Sequence, residues 1–410
     1  MRFIDFVYFL FLLTLSIDPT GFHSRLKDLL FVVLVIYGII YCLKHQQYIA
    51  SINRITYLAF LLIPLWGMFI AYITNNLTNE SYAIGQIRSM LYISIFFFVV
   101  TMRLDILLKM MWANGIILAV LTLVLFFLSE LGGVFLAAIY DYCNASGNYM
   151  MAYNRNFIGF SVNGLYYVTG SLIIFSFIYN LYQYKGPLKF ILSVILYLSL
   201  MVAGSRTPML VQTLILFVYL YDKNVIGKFL TRVTTIALLG TLVMVTYLLA
   251  TQENANDIKY ENYESYVEEM SDKGHLIWGA GLGSEFYGKG IGKKLAYSEL
   301  SYMDVFRMYG IPVGGCMVFL FFAPCFWLWK YYSRSLFLKR YCMGYALFLV
   351  LSGTNPLLLG SVGLTALSLF MTIVNKTSLM ELQKEQDLAV KRSGQIDNEK
   401  SILIDNIVLR

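Results

Sequence analysis

The chain has 410 residues, of which 59% are hydrophobic and 13% are charged, whereas a soluble protein averages about 25% charged residues. This composition excludes an ordinary soluble domain and predicts that the whole chain forms one membrane domain. The formal net charge of +7 is no sign of nucleic-acid binding, because most of the basic residues lie in short loops, where they set the orientation of membrane spans.

Apolar segments of membrane length recur along the chain. About twelve of them approach the ~20 residues that a helix needs to cross a bilayer. They predict an all-α, multi-pass integral membrane protein over residues 1–375, with a cytoplasmic tail at 376–410. In order the segments are Phe3–Ile17, Leu29–Leu43, Ile55–Ile73, Met90–Met102, Leu104–Leu128, Leu165–Leu181, Pro187–Val202, Met209–Tyr221, Val233–Ala250, Val305–Trp329, Tyr341–Leu359 and Val362–Val374.

Basic residues are concentrated in alternate loops. These loops hold Lys44 and Arg54; Arg103 and Lys109; Lys185 and Lys189; Lys223, Lys228 and Arg232; and Lys330, Arg334, Lys339 and Arg340. The intervening short loops hold only Arg25, Lys27, Arg88, Arg155 and Arg206. The positive-inside rule then places both termini in the cytoplasm. The two long loops, at about 129–164 and 251–304, are expected on the outer, periplasmic side.

The segment Ala203–Pro208 holds a permanent cation where two predicted spans meet. Arg206 cannot lose its proton, and its planar guanidinium matches the geometry of a phosphate. A charge at such a place is costly and indicates function. The alternative is an arginine at a helix end whose side chain reaches the lipid headgroups.

Four arginines lie at or near the expected outer ends of helices: Arg25, Arg88, Arg155 and Arg206. Outward-facing cations are not needed to satisfy the orientation rule. Several cations at one membrane depth suit a lipid-linked phosphate or pyrophosphate, because each arginine can bind such a group through two hydrogen bonds. Some of them could also simply meet lipid headgroups.

The first long outer loop is rich in tyrosine and asparagine. It contains Tyr140, Tyr142, Asn144, Asn148, Tyr149, Tyr153, Asn154 and Asn156. These side chains combine flat apolar faces with hydrogen-bonding groups. Such a mixture suits sugar binding, and it equally suits an aromatic belt at the membrane interface.

The second long outer loop contains a candidate helix and a run of glycines. The spacing in Tyr263–Met270 allows one amphipathic helix on the outer surface. The glycine run at Trp278–Gly283 is not a dinucleotide site, since no strand precedes it. The stretch Gly283–Lys289 resembles a phosphate-binding loop, but Gly290 occupies the position of the Ser or Thr that would bind Mg²⁺. We interpret both as tight turns, and His275, just before them, as a loop residue.

Two carboxylates, Glu299 and Asp304, stand where the tenth predicted span begins on the outer side. A partly desolvated carboxylate at this depth can accept a proton. Two structural alternatives remain. Glu299 could cap the start of the helix, where a negative charge meets the positive end of the helix dipole. Asp304 could pair with Arg307.

Three segments carry a resemblance to a known family. The Gly-Ser-Arg-Thr at 204–207, between two apolar spans, resembles the central motif of bacterial O-antigen polymerases and ligases. The segment Trp278–Gly283 is similar to the glycine turn of the same superfamily, and so is the segment through Asp304 that ends at Gly310. The hydropathy profile, with its long late outer loop, is similar to that of the superfamily along most of the chain, and the order of the motifs and their side of the membrane agree with it.

The resemblance implies a membrane glycosyltransferase of the GT-C type fold that uses no metal and no cofactor. Its donor would be a growing glycan on undecaprenyl pyrophosphate, and its acceptor a lipid-linked repeat unit, at the outer face of the bacterial inner membrane. A chain-length regulator protein is a further implied partner. The ligases have a His-Asn pair where this chain has Glu299 and Leu300, which favours a polymerase.

The same resemblance suggests roles for individual residues. Arg206, helped by Arg88 and Arg155, would bind the pyrophosphate and stabilise its charge as it leaves. Glu299 would take the proton of the acceptor hydroxyl. The other expected substrate contacts are Ser205, Tyr302 and Asp304. Two alternatives stay open: a ligase to the lipid A core, and a flippase or transporter of lipid-linked sugars. The sequence has no internal repeat of the kind that transporters often have.

Overall fold

The computed structural model describes residues 2–21, 24–145, 150–157, 160–202, 206–224, 236, 240, 253–271, 274–298, 300–329, 335–353 and 358–380. The helices, in chain order, are α1 (Phe3–Ile17), α2 (Leu26–Lys44), α3 (Ser51–Ile73), α4 (Glu80–Val99), α5 (Leu104–Glu130), α6 (Gly133–Ala145), α7 (Val168–Tyr182), α8 (Lys189–Met201), α9 (Arg206–Asp222), α10 (Glu253–Ser271), α11 (His275–Trp278), α12 (Ser301–Trp329), α13 (Leu336–Ser352) and α14 (Ser361–Met380). Residues 91–95 in α4 and 168–172 in α7 form 3₁₀ turns.

Within these ranges, six helices are long and apolar enough to cross a membrane: α2, α3, α4, α5, α12 and α14. Four shorter apolar helices, α1, α7, α8 and most of α9, match further predicted segments. A mostly helical, membrane-embedded protein is therefore confirmed, while the total of twelve spans stays a prediction. The ninth predicted segment, Val233–Ala250, lies almost wholly outside the described residues, and so does the tail beyond Met380.

Both long predicted loops contain regular structure, of which the sequence indicated only the helix at Tyr263–Met270. The first contains α6 and an antiparallel hairpin of β1 (Met150–Phe157) and β2 (Phe160–Tyr167). The second contains α10, which confirms the helix predicted at Tyr263–Met270 and extends it. It also contains a short hairpin of β3 (Phe286–Gly288) and β4 (Lys293–Leu295).

Helix α14 lies at the centre of the bundle. Of its most apolar stretch, 89% is buried, against 17–50% for the other five long helices. Its polar side chains bind the start of α3. Asn375 accepts a hydrogen bond from the Ala50 amide at 2.8 Å and donates to the Tyr48 carbonyl at 2.9 Å. In return, the Asn53 amide donates to the Met371 carbonyl at 2.8 Å. Such side chains hold helices together where lipid offers no hydrogen bonds.

The directions of α8 and α9 place Arg206 at a defined end of the bundle. The two helices are antiparallel, since the Tyr197 hydroxyl lies 3.1 Å from that of Thr213, and the Lys189 ammonium lies over the ring of Tyr219. Arg206, the first residue of α9, therefore lies where α8 ends. The other end of α9, at Asp222, contacts Arg340 near the start of α13, so Arg206 lies at the end of the bundle where α13 stops. We call this end, where α3 also stops and α12 begins, the loop end of the bundle.

A partly buried ion pair holds the helices together at the opposite end. The guanidinium of Arg340 binds Asp222 through two hydrogen bonds of 2.6 and 2.5 Å, and the hydroxyl of Tyr182 donates to the same carboxylate at 2.7 Å. The pair joins α7, α9 and α13. Paired, hydrogen-bonded geometry of this kind is what makes a desolvated ion pair tolerable.

Replacing Asp222 with alanine leaves Arg340 desolvated without its partner. We expect Asp222→Ala to lower stability by about 1–3 kcal/mol, as when a partly buried group loses its hydrogen-bonding partner. The exposed pair of Arg103 and Asp105 is the matched control, since Asp105→Ala should cost below about 1 kcal/mol. The melting temperature of each purified variant in one detergent measures the difference. Equal decreases in melting temperature for the two variants would contradict the stabilising role of the Arg340–Asp222 pair.

Candidate functional site at the loop end

Helix α12 is broken at Gly310, which has φ 74° and ψ 166°. Two residues later comes Pro312, which has no N–H to donate to the carbonyl of Met308. The break opens the carbonyls of Arg307 and Met308. They accept hydrogen bonds from Ala280 at 2.7 Å and Gly281 at 3.1 Å. The glycine run thus supplies the donors that the interrupted helix lacks, as buried backbone requires.

The other side of the glycine run contacts α3. The Leu282 amide donates to the Gly67 carbonyl at 2.9 Å. At Gly281, φ is +92°, and a Cβ would lie 2.4 Å from the backbone nitrogen of Ala71. Gly67 precedes the last residue of α3, Ile73, by six residues, which is about 9 Å of helix. The run is therefore re-entrant, dipping between α3 and α12 below the end of α3.

An apolar edge lies beside this re-entrant run. Leu276, Ile277 and Trp278 are each about half exposed, at 46%, 54% and 56%. The ring of Trp278 lies 6.0 Å from that of Trp66 on α3, where Phe69 is also exposed. Aromatic and apolar groups at the depth of a helix end are typical of a membrane interface. We infer that this edge contacts lipid.

A fully buried cation lies behind the glycine run. The guanidinium of Arg307 donates to the carbonyl and hydroxyl of Ser284 at 3.1 and 2.7 Å and to the Ala296 carbonyl at 2.7 Å. It lies 4.8 Å from the centre of the Phe286 ring. Its Nε has no partner among the described residues. Arg307 thereby fixes β3 and the chain before and after it onto α12.

Asp304 completes this buried network. Its carboxylate lies 3.9 Å from the guanidinium of Arg307, so the pairing weighed from the sequence is present. The Tyr266 hydroxyl donates to Oδ1 at 2.6 Å, and the Ser298 amide donates to Oδ2 at 3.0 Å. Burial raises the pKa of the Tyr266 phenol, which therefore stays a neutral donor. Asp304 is only 3% exposed, and both oxygens of its carboxylate accept hydrogen bonds. Its contact with a substrate stays a prediction.

A polar pocket of about 490 Å³ opens above the re-entrant run, within the roughly 300–1,000 Å³ of small-molecule sites. Its lining comes from three parts of the chain: Thr74, Asn76, Thr78, Glu269, His275, Ser284 and Glu285. The Asn79 side chain donates to Glu285 at 3.0 Å. His275 Nδ1 lies 3.1 Å from the Glu269 carbonyl and 3.5 Å from its carboxylate.

Three of these lining residues, Glu269, His275 and Glu285, carry chemistry that the sequence analysis did not assign to a site. His275 was interpreted as a loop residue, but it lies in the pocket wall. Its position directly before the Leu-Ile-Trp-Gly turn was the one feature of the sequence that could have indicated a place in the site. Nothing in the sequence connects Glu269 with Glu285, because their proximity arises only from the re-entrant fold.

The residues expected to form the site have different surroundings. Arg88, half exposed on α4, binds Asp28, and the other oxygen of Asp28 accepts from the Tyr92 hydroxyl. The Tyr302 hydroxyl donates to the Leu349 carbonyl at 2.7 Å, near the end of α13. Tyr302 therefore lies at the same end of the bundle as the start of α9.

Four expected residues have no described side chain. The backbone of Arg155 lies in β1, opposite Val162, and Arg206 begins α9. Ser205 and Glu299 lie outside the described residues. Their roles stay predictions, as does independence from metals. In the described ranges, no group of three or more His, Cys, Asp or Glu side chains is placed to hold a metal ion.

No protein-family model matches the chain, and no curated protein matches it. A functional assignment therefore rests on the residues and their geometry.

The re-entrant run depends on a glycine where α3 comes closest. In Gly281→Ala, a residue with a Cβ would have to adopt a positive φ, which costs about 1–2 kcal/mol of stability. The Cβ would also press against the backbone of Ala71, which costs about 1–3 kcal/mol more. We expect a marked fall in melting temperature and folded yield. Gly85→Ala is the control: a Cβ there meets nothing within 4 Å, and the change should stabilise α4 by up to ~1 kcal/mol. Equal behaviour of the two variants would contradict the packing described.

Proposed function

We propose that this protein is a membrane glycosyltransferase that polymerises a surface polysaccharide, an O-antigen polymerase, at the outer face of the bacterial inner membrane. The observation that carries the proposal is the position of the polar pocket. Its lining of hydroxyl, amide, carboxylate and imidazole groups suits a glycan. It lies directly above the lipid-contacting edge Leu276–Trp278. A lipid-linked glycan needs a polar site and an apolar surface side by side.

The proposed reaction joins two lipid-linked substrates. A sugar hydroxyl of the acceptor attacks the anomeric carbon of the donor glycan, and the bond to undecaprenyl pyrophosphate breaks. Because the donor brings its own leaving group, the reaction uses no nucleotide and no cofactor. Arg206, with Arg88 and Arg155, binds the pyrophosphate and stabilises the charge that develops on it. Ser205 and Tyr302 contact the substrate.

Glu299 is the proposed base, and the surroundings of its two neighbours support this assignment. Ser298 is fixed by the bond from its amide to Asp304, and the Leu300 amide donates to the Ser298 hydroxyl at 3.1 Å. A base must be held within hydrogen-bonding reach of the proton that it removes. In this proposal, Asp304 fixes Ser298, the residue before Glu299 in the sequence, in addition to its expected role near the substrate.

A transporter of lipid-linked sugars is the second candidate, and the break in α12 favours it. Transporters often bind their substrates at interrupted helices near the bilayer midplane. The break at Gly310 comes nine residues after the start of a 29-residue helix, so it is nearer the loop end than the middle. This depth suits chemistry at the membrane surface better than passage through it.

Extension of purified lipid-linked repeat units by the full chain in nanodiscs tests the proposal. We expect longer lipid-linked glycans to form, and Arg206→Ala to slow extension by at least ~100-fold, as when one charge-stabilising donor is removed. Arg206→Lys keeps the charge but loses the planar fork, so its rate should also fall sharply. Glu299→Gln should stop extension without lowering the amount of folded protein.

The controls for this assay are Arg103→Lys, in the exposed pair with Asp105, and Glu261→Gln, on the exposed face of α10. Both should extend glycans at the normal rate. Transfer of glycan only to a lipid A core would identify a ligase instead. Movement of repeat units across liposome membranes without extension would identify a transporter. Normal extension by Arg206→Ala would remove the pyrophosphate role of that residue.

A further inference from the structure

Seven described residues line the polar pocket, and the hydrogen-bonding capacity of five of them decides what it can bind. Of the other two, the Ser284 hydroxyl donates to the Gly281 carbonyl at 2.7 Å, and the Asn76 side chain can both donate and accept. The hydroxyl of Thr74 donates to the Ile70 carbonyl at 2.8 Å, and that of Thr78 donates to the Gly283 carbonyl at 3.2 Å. Each hydroxyl has one proton, so both offer the pocket only acceptor lone pairs.

His275 also offers an acceptor. The two atoms next to its Nδ1 are the carbonyl and a carboxylate oxygen of Glu269, and neither can donate. Nδ1 must therefore carry a proton, so that Nε2 is an acceptor whenever the ring is neutral. The carboxylates of Glu269 and Glu285 add further acceptors. The pocket is thus rich in acceptors and suits a ligand that brings donors, such as sugar hydroxyls, amides or amines.

The charge of the pocket also favours a ligand that is neutral or positively charged. None of the described residues that line it is Lys or Arg. The nearest buried cation, Arg307, is fully enclosed behind Ser284 and faces Asp304. Lys289 is bound to Glu268. The described lining therefore presents two carboxylates and neither Lys nor Arg, and His275, 3.5 Å from Glu269, is the one described lining residue that can carry a positive charge. An anionic ligand group would be repelled here, so the pyrophosphate must bind elsewhere.

Glu285 is held in place before any ligand arrives. Its Oε1 accepts from the Asn79 side chain at 3.0 Å, and Asn79 in turn caps α4 by accepting from the Tyr82 amide at 3.0 Å. An acceptor fixed in this way loses little freedom when it binds, which favours affinity and selectivity.

We propose that this pocket binds a neutral or amino-bearing sugar of the lipid-linked glycan, away from its pyrophosphate, and that Glu269 and Glu285 exclude sugars that carry carboxylates. The assignment rests on the proposed function for its glycan ligand. It separates two subsites: the arginines take the phosphates, and the acidic pocket takes the sugar.

Calorimetric titration of the full chain in nanodiscs tests this selectivity. The probes are three disaccharides of similar size: one of N-acetylglucosamine, one of glucosamine, and one that contains glucuronic acid. We expect the first two to bind, and the glucosamine disaccharide, a diamine, to bind more tightly than the N-acetylglucosamine disaccharide. The uronic acid should bind at least about tenfold more weakly than the diamine, because it lacks a bond between an ammonium group and a carboxylate, which is worth that much or more.

The test variant is Glu285→Gln, which keeps the size of the side chain and the bond from Asn79. It should weaken binding of the diamine about tenfold or more and reduce the discrimination against the uronic acid. Glu261→Gln, on the exposed face of α10, is the matched control and should change neither. Equal or tighter binding of the uronic acid, binding of none of the three probes, or no effect of Glu285→Gln would overturn the assignment.

The two proposals fail in different ways. If the diamine binds and depends on Glu285 while no glycan extension occurs, the pocket assignment stands and the polymerase proposal fails. If extension occurs while Glu285→Gln leaves both binding and selectivity unchanged, the pocket assignment alone fails.

Discussion

The structure of the loop end depends on one break in helix α12, which leaves two backbone carbonyls without donors from the helix. Pro312 cannot donate to the carbonyl of Met308, and Gly310 turns the chain away from the helix at the same place. A backbone carbonyl without a partner costs several kcal/mol in a membrane. The amides of Ala280 and Gly281 supply the partners, so the glycine run is drawn between α3 and α12. Its tight contact with α3 explains why glycine is needed there.

The position of this run determines the rest of the site. It places Ser284 against the buried Arg307, and it brings Glu285 beside Asn79 at the start of α4. His275 and Glu269 then close the remaining side. Two kinds of carboxylate result. Asp304 is enclosed and bound on both oxygens, so it positions the chain around residue 298. Glu269 and Glu285 face the open pocket, where a ligand can reach them. The same fold therefore separates a positioning group from binding groups of the same chemical type.

Part of this arrangement could be predicted from the sequence. The length of the apolar segments identified the membrane helices, because a helix that crosses the bilayer must be apolar over the thickness of the hydrocarbon core. A turn in the glycine run closes from the Ser284 amide to the Gly281 carbonyl, as predicted, whereas Gly283–Lys289, also interpreted as a turn, contains strand β3. Asp304 with Arg307 is a pair three residues apart on one helix face. The pocket could not be predicted. Its members come from the loop after α3, from the end of α10 and the start of α11, and from the residues before β3, and only the break at Gly310 brings them together. The β1–β2 hairpin was missed because its Tyr- and Asn-rich sequence was equally compatible with a loop.

The central claim is that the acidic pocket above the re-entrant run holds the sugar of a lipid-linked substrate. The most direct measurement is photo-cross-linking of the full chain in nanodiscs, with a polyprenyl-pyrophosphate-linked N-acetylglucosamine disaccharide that carries a diazirine on its terminal sugar. The account predicts cross-links in residues 74–79 and 269–285 that disappear when unlabelled substrate is added in excess. Cross-links confined to the lipid-facing surfaces of α2 and α5, and unaffected by the competitor, would contradict it.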